Sequence, residues 1–360
     1  ADTVAGLVSA WNASEHPYAT GITAADASPD ITLTADTAEV PFAVTLNTPG
    51  GSATFSQTAT TAPTGPHTLD DADNWGGSLP SNSDTVVFAD SDGDVCWGLQ
   101  GLSTTGHTLI IEQSYTGRIG LDRLAYATSA DGRTTDSAAP EYRDTYLQLD
   151  ISRLEVGRHV GPGTPAGSQR ILVDNDRSSA SQTVIYNTAG VAADTNKPPV
   201  RLKANHASAD IDMRGGQVAL ALDAPGETTT IGDVVQSGGQ LYVGEGVTLT
   251  NWTQSAGQSR VNLGAATATQ VLVHGGQLVL DGDQVVTTLK VTGGQVTSNI
   301  TGTIGTLEAE GGTVDFSHSA EARTVTTVNL HRGCSIVGDD DVLTITTLNE
   351  PDGPYTLSVS

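Results

Sequence analysis

The sequence predicts an all-β protein built mainly as a parallel β-helix with coils of about 18 residues. Three observations point to this fold: a Gly-Gly-Gln motif returns at regular intervals, aliphatic residues keep fixed positions around it, and aromatic residues are scarce. Of 360 residues, 37% are hydrophobic, 4% are aromatic and 41 are glycine. This composition suits short strands and tight turns better than packed helices.

The repeat occupies the last 150 residues or so. Gly-Gly-Gln occurs at 215–217, 238–240, 275–277 and 293–295, with variants at 256–258, 311–313 and 332–334. The second residues of these motifs, all glycines, stand at 216, 239, 257, 276, 294, 312 and 333. Their near-constant spacing, with occasional small insertions, is typical of stacked coils.

Three sets of residues keep register with these glycines. Five residues before them stand Ile211, Val234, Trp252, Val271, Leu289, Leu307 and Val328. Three before stand Met213, Gln236, Gln254, Val273, Val291, Ala309 and Leu330. Two after stand Val218, Leu241, Ser259, Leu278, Val296, Val314 and Ser335. Because side chains alternate along a strand, we expect each set to form an inward column. Two glutamines interrupt the middle set, which predicts locally distorted coils.

The outward positions form columns as well. We expect five glutamines to stack and hydrogen-bond along the axis as an amide ladder: Gln217, Gln240, Gln258, Gln277 and Gln295. The alternative is that they form a glycan-binding stripe, since amides suit sugar hydroxyls. Lys290 lies one coil from Glu308, which predicts a weak cross-strand ion pair.

The coil length leaves handedness open, because 18 residues also correspond to the three hexapeptides of a left-handed β-helix. No strict six-residue aliphatic repeat is present, and the coil lengths vary. We therefore expect a right-handed helix.

The chain divides into four predicted parts. Residues 1–63 form a small α+β module for attachment, and residues 64–94 form a linker and the N-terminal cap of the β-helix. The helix itself spans 95–337, with a polar insertion near 122–144. Residues 338–360 supply C-terminal cap strands.

The module prediction rests on local periodicity. Val4, Leu7, Val8 and Trp11 follow helical spacing, whereas residues 31–34 and 40–46 alternate like strands. The cap prediction rests on residues 73–80, where a large aromatic residue is followed by glycine and proline turns and then by a strand.

Charge and cysteine content exclude several classes of function. The formal charge is −25, so we expect no binding to nucleic acid or anionic membranes. No apolar stretch is long enough for a transmembrane helix. Cys96 and Cys334 provide neither a disulfide framework nor a zinc motif. The chain begins at Ala1 rather than methionine, which we interpret as processing or truncation upstream.

The candidate metal site is Asp90, Asp92 and Asp94, three carboxylates at alternate positions around a glycine. Such oxygens are the ligands that Ca²⁺ prefers, although the spacing is not that of an EF-hand. The alternative is a solvated acidic turn. No other cofactor is predicted.

The sequence assigns no catalytic residue. Acids that could form the carboxylate pair of a polysaccharide hydrolase include Glu112, Asp122, Asp150 and Glu155. With 41 acidic residues in the chain, some will face one another by chance.

Three segments carry a resemblance to a known group of proteins: residues 73–88, residues 114–121 (SYTGRIGL) and residues 312–317 (GTVDFS). They resemble β-helical proteins of tailed-bacteriophage virions and planctomycete surfaces. The opening stretch at 33–42 (LTADTAEVPF) is similar to small modules that precede such helices. The resemblance implies a structural protein and brings no catalytic signature.

This resemblance implies a non-enzymatic protein on the virion exterior, as a capsid decoration, a fibre or a tail-fibre component. Residues 1–63 would bind other virion proteins, with a trimer favoured and host-surface glycan as a further partner. The alternatives are a tailspike-like polysaccharide depolymerase and a bacterial cell-surface adhesin, the latter placed extracellularly.

Overall fold

The computed structural model describes residues 3–15, 19–36, 64–99, 102, 104–120, 146–158, 167, 170–175, 177–188, 198–204, 206–220, 229–244, 247–263, 268–283, 285–350 and 354–359. The predicted strand at 40–46 and the predicted polar insertion near 122–144 lie outside these residues. Within them, the structure contains one α-helix, one short 3-10 helix and 25 strands.

The N-terminal part is a helix against a hairpin. Helix α1 (Thr3–Asn12) precedes the antiparallel strands β1 (Ile22–Ala27) and β2 (Asp30–Ala35). The indole N–H of Trp11 donates to the carbonyl of Ile22 at 2.9 Å, and the Asn12 amide exchanges two hydrogen bonds with the backbone of Ala24. The predicted helix and the predicted strand at 31–34 are confirmed.

The remaining strands form two long parallel sheets. The first, twelve-stranded sheet contains β3 (Thr85–Phe88), β4 (His107–Glu112), β6 (Ile151–Arg158), β8 (Ser181–Ile185), β10 (Ala209–Met213), β12 (Thr229–Gln236), β14 (Val247–Gln254), β16 (Ala268–Val273), β18 (Val286–Val291), β20 (Thr303–Ala309), β22 (Arg323–Leu330) and β24 (Leu343–Asn349). The second, eleven-stranded sheet contains β5 (Leu147–Leu149), β7 (Ile171–Asn175), β9 (Val200–Ala204), β11 (Gln217–Leu220), β13 (Gln240–Val243), β15 (Gln258–Leu263), β17 (Gln277–Gly282), β19 (Gln295–Ser298), β21 (Gly312–Asp315), β23 (Cys334–Gly338) and β25 (Thr356–Val359).

The order of strands makes the molecule a solenoid. From β4 onward, successive strands alternate between the two sheets, so each coil gives one strand to each sheet. Every neighbouring pair in both sheets is parallel; for example, β18 pairs with β20 and β19 pairs with β21. The predicted parallel β-helix is confirmed. Its right-handed sense stays a prediction.

Aromatic residues close the N-terminal end of the stack. The 3-10 helix at Ala72–Trp75 is capped by the Asp71 carboxylate, and the Trp75 indole donates to the carbonyl of Leu69 at 2.6 Å. The ring of Phe88 lies between the rings of Trp75 and Tyr115, with centroids 6.4 Å and 5.3 Å away. At the other end, β24 and β25 continue the parallel pairing as one more coil.

The core consists of the predicted inward columns. Val271, Leu289, Leu307 and Val328 are register partners in successive coils, and all four are buried. Each layer of one column rests on the layer below it, about 4.8 Å away. One cluster of buried apolar side chains therefore extends through the stacked coils.

The prediction that Ser335 belongs to an inward column is wrong. Ser335 pairs with the outward Thr313, while Ile336 pairs with Val314 and is fully buried. The turn between Leu330 and Ile336 is one residue longer than the equivalent turns, so counting from Gly333 shifts the register by one position.

The expected distortion at the two core glutamines is also wrong. Strands β12 and β14 pair without a break, and the side chains of Gln236 and Gln254 are completely buried. Gln236 Nε2 donates to the carbonyl of Gln258 at 3.1 Å, and Gln254 Nε2 donates to that of Gln277 at 3.0 Å. Ser259 Oγ, also inward, lies within hydrogen-bonding distance of both amide oxygens.

Replacing Ser259 with alanine is expected to destabilise the fold by about 1–3 kcal/mol, because a buried amide oxygen loses its hydroxyl donor. Urea unfolding followed by circular dichroism measures the change. The exposed Ser78 provides the control, and its alanine variant should stay within about 0.5 kcal/mol of the wild type. Equal effects at both positions would contradict a stabilising role for the buried network.

Candidate functional site

The three candidate calcium ligands lie in the segment that follows β3. The backbone N–H of Asp90 donates to Ser114 Oγ at 3.0 Å, and the Asp94 carboxylate accepts the backbone N–H of Arg118 at 2.8 Å. Across the described ranges, no three His, Cys, Asp or Glu side chains are grouped so that they could hold a metal ion. Calcium binding at Asp90, Asp92 and Asp94 therefore stays a prediction from sequence, without support from the geometry.

Two of the acids considered for catalysis share one cation. Arg158 binds Glu112 at 3.2 Å and Glu155 at 3.3 Å, and Glu155 also accepts from Arg153 Nε at 2.6 Å. Asp150 pairs with Arg177 at 2.6 Å. Asp122 lies outside the described residues. Each of these three acids, Glu112, Asp150 and Glu155, therefore has an arginine partner.

The two cysteines lie in different surroundings. Burial raises the pKa of the Cys96 thiol, and the nearby Asp94 carboxylate raises it further. Thiolate, the reactive form, is correspondingly disfavoured at neutral pH. Cys334 is buried and unpaired by any disulfide, with Sγ 3.0 Å from the carbonyl of His331.

A small cavity lies inside the described part of the solenoid. The cavity bordered by Leu154, Val173 and Leu202 lies within the solenoid core and has room for about one water molecule. This cavity is therefore too small for any ligand larger than water.

The most regular outward feature is the predicted glutamine ladder, which the structure confirms. The Nε2 of each of the first four glutamines donates to the Oε1 of the glutamine in the next coil, and the distances from Gln217 to Gln295 are 2.7, 3.0, 3.2 and 3.4 Å. All four bonds run in the same direction along the axis. The amide dipoles are therefore aligned, and each bond polarises the next.

A second outward column lies beside the ladder on the same sheet. Tyr242, Arg260, Val279 and Thr297 are register partners in four successive coils. The Arg260 side chain is 68% exposed and reaches the Asp281 carboxylate at 2.7 Å. Sequence spacing places these residues in columns, but it does not reveal this diagonal ion pair.

Lys290 lies beside Glu308 as predicted, but its ion pair is with a different residue. It is the register partner of Glu308, yet its Nζ lies 2.7 Å from Glu310, at the start of the following turn. The Glu308 carboxylate instead accepts from Asn329 at 2.5 Å. The predicted Lys290–Glu308 ion pair is therefore wrong, because a lysine stem is long enough to reach past its direct neighbour.

The Lys290 ammonium group holds the pKa of Glu310 below its ordinary value of 4.5, mainly through the hydrogen bond between them. A depressed carboxyl pKa gives stability that is lost as pH falls through the folded-state value. We expect Lys290→Met to raise the Glu310 pKa, as measured by NMR titration of the side-chain carboxyl. Arg260→Met should leave that pKa unchanged, and an unaltered value in Lys290→Met would contradict the pair.

No helix in the described part of the chain combines the length and apolar character needed to span a bilayer. Comparisons with family models, curated proteins and solved structures gave no match to this chain.

Proposed function

We propose that the chain is a non-enzymatic structural protein on the exterior of a tailed-phage virion, as a capsid decoration, a fibre or a tail-fibre component. One observation carries the proposal: an unbroken stack of coils, hydrogen-bonded through both sheets from β4 to β25. Such a stack behaves as a rigid spacer because each coil is fixed by its two neighbours. The resemblance of residues 73–88, 114–121 and 312–317 supplies the phage setting.

The N-terminal helix and hairpin suit an attachment role. Among the described residues of 3–36, Ala24 is the only buried hydrophobic side chain, whereas Leu7 is 48% and Ile31 is 37% exposed. A unit this small and this poorly buried needs further contacts for stability. Residues 1–63 contain no lysine or arginine, so the expected contact is a partly basic surface of another virion protein.

The surface chemistry favours this role over the tailspike-like depolymerase. A glycosidase needs two carboxyl groups facing an open groove, one of them protonated. Glu112 and Glu155 instead both pair with Arg158, at 3.2 Å and 3.3 Å, so a guanidinium group occupies the space between them.

Electron microscopy of particles from the source phage, labelled with an antibody against this chain, tests the proposal. We expect regularly placed label on the particle exterior, and light scattering of the purified chain should give the mass of a trimer. Absence of the chain from purified particles would overturn the virion role, and a cell-surface location would favour the adhesin. Release of new reducing or unsaturated ends from host polysaccharide would establish the depolymerase instead.

A further inference from the structure

One outward face of the eleven-stranded sheet is lined with planar polar side chains. We call it the amide face and define it by Gln258, Gln277, Gln295, Tyr242 and Arg260. The three glutamines are exposed, and all five residues lie on the consecutive strands β13, β15, β17 and β19. The face is therefore open to solvent and supported by a well-packed core.

The ladder leaves hydrogen-bonding capacity unused. A glutamine amide has two N–H donors and two acceptor sites on its oxygen. In Gln258 and Gln277, the ladder bonds occupy one donor and one acceptor site each. One N–H and one lone pair per side chain remain for solvent or a ligand. Because the ladder fixes each amide, a ligand would pay little side-chain entropy on binding.

The face repeats itself along the solenoid axis. Gln258, Gln277 and Gln295 are direct register partners, so the same donor and acceptor return at about 4.8 Å. A ligand that uses several of these positions must present hydroxyl groups at a similar repeat. Linear polysaccharides have this property, since one pyranose unit of an extended chain spans a comparable distance.

Charge narrows the class of polysaccharide. The formal charge of −25 repels polyanions such as uronic-acid polymers. On the amide face, the Arg260 cation is paired with Asp281 at 2.7 Å, so the two charges nearly cancel. The half-buried Tyr242 ring, in register above Arg260, offers an apolar surface with a polar tip, as suits the face of a sugar.

We propose that the amide face binds a linear, uncharged polysaccharide lying along the solenoid axis. The binding deepens the proposed function, since an exterior position on a virion is what would bring this face to a host surface. The ladder glutamines contact the sugar hydroxyls, Tyr242 packs against a ring, and Arg260 donates to ring or hydroxyl oxygens.

Affinity electrophoresis of the purified full chain tests the proposal, with hydroxyethylcellulose as the neutral probe and alginate as the anionic one. We expect retardation by hydroxyethylcellulose alone. The double variant Gln258→Ala/Gln277→Ala should bind at least about tenfold more weakly, as expected for the loss of two hydrogen bonds. Thr306→Ala/Thr327→Ala changes two outward register partners of the twelve-stranded sheet and should bind like the wild type.

Thermal unfolding checks that both double variants fold. Tyr242→Ala, at a position outside the ladder, should also weaken binding to hydroxyethylcellulose. No retardation of the wild type by hydroxyethylcellulose would overturn the proposal, as would equal affinity for alginate or unchanged binding by the ladder variant. Since the assay needs no virion, a chain absent from phage particles can still bind the polymer, and a virion protein can fail to bind it. The virion role and the binding of polysaccharide are therefore tested independently.

Discussion

Replacing Gly276 with alanine is expected to lower the free energy of unfolding by about 2–5 kcal/mol. Gly276 has φ +82°, a conformation that costs an L-residue about 1–2 kcal/mol. A Cβ there would also lie 2.4 Å from the carbonyl oxygen of Gly257 in the preceding coil. That oxygen accepts the Gln277 N–H at 2.9 Å, so the clash would push apart two stacked turns.

Gly333 separates the cost of the positive φ from the cost of the clash with the preceding coil. It has the same φ of +82°, but a Cβ at this position meets no atom within 4 Å. We expect Gly333→Ala to cost only the conformational part, about 1–2 kcal/mol. Urea unfolding of the two variants, followed by circular dichroism, measures the difference. Equal losses would mean that close stacking of the turns contributes nothing to the requirement for glycine.

Replacing Trp252 with alanine is expected to destabilise the fold by about 3–5 kcal/mol. Trp252 is 1% exposed and is the largest fully buried side chain in the described residues. It lies in an inward column between Val234 and Val271, so its removal leaves a cavity that the flanking coils cannot readily fill.

Two matched variants sharpen this prediction. Trp252→Phe should lose far less stability than Trp252→Ala, because the indole N–H has no hydrogen-bond partner and only volume is lost. Val235→Ala, at a neighbouring outward position that is 45% exposed, should change stability by no more than about 0.5 kcal/mol. Calorimetric unfolding measures all three. A Trp252→Ala loss as small as that of Val235→Ala would contradict the inward column.

The repeat was enough to predict a stack of parallel coils. Identical spacing before and after each turn glycine forces like residues into columns, so Leu289, Leu307 and the glutamine ladder could be placed from the sequence alone. The same counting failed at Ser335, because one extra residue in the preceding turn moves the side chains of that strand to the opposite face from the one the count assigns.

The polar contacts were less predictable for a different reason. Gln236 and Gln254 appeared as defects because hydropathy treats a buried amide as unfavourable. The sequence signal that could have predicted these hydrogen bonds was Ser259. It occupies an inward position in the same coils and offers a hydroxyl partner to the buried amides. The bond from Lys290 to Glu310 depends on side-chain reach, which register does not encode.

Cysteine cross-linking tests the stacking of coils most directly. In a Cys96→Ser background, Thr288→Cys/Thr306→Cys joins register partners on β18 and β20, whereas Thr288→Cys/Glu308→Cys is offset by two residues. Neighbouring parallel strands lie about 4.8 Å apart, within the Cα separation that a disulfide accepts. We predict that mild oxidation links the in-register pair much faster than the offset pair, as quantified by mass spectrometry. Preferential linking of the offset pair, or no linking of either, would contradict the stacked solenoid.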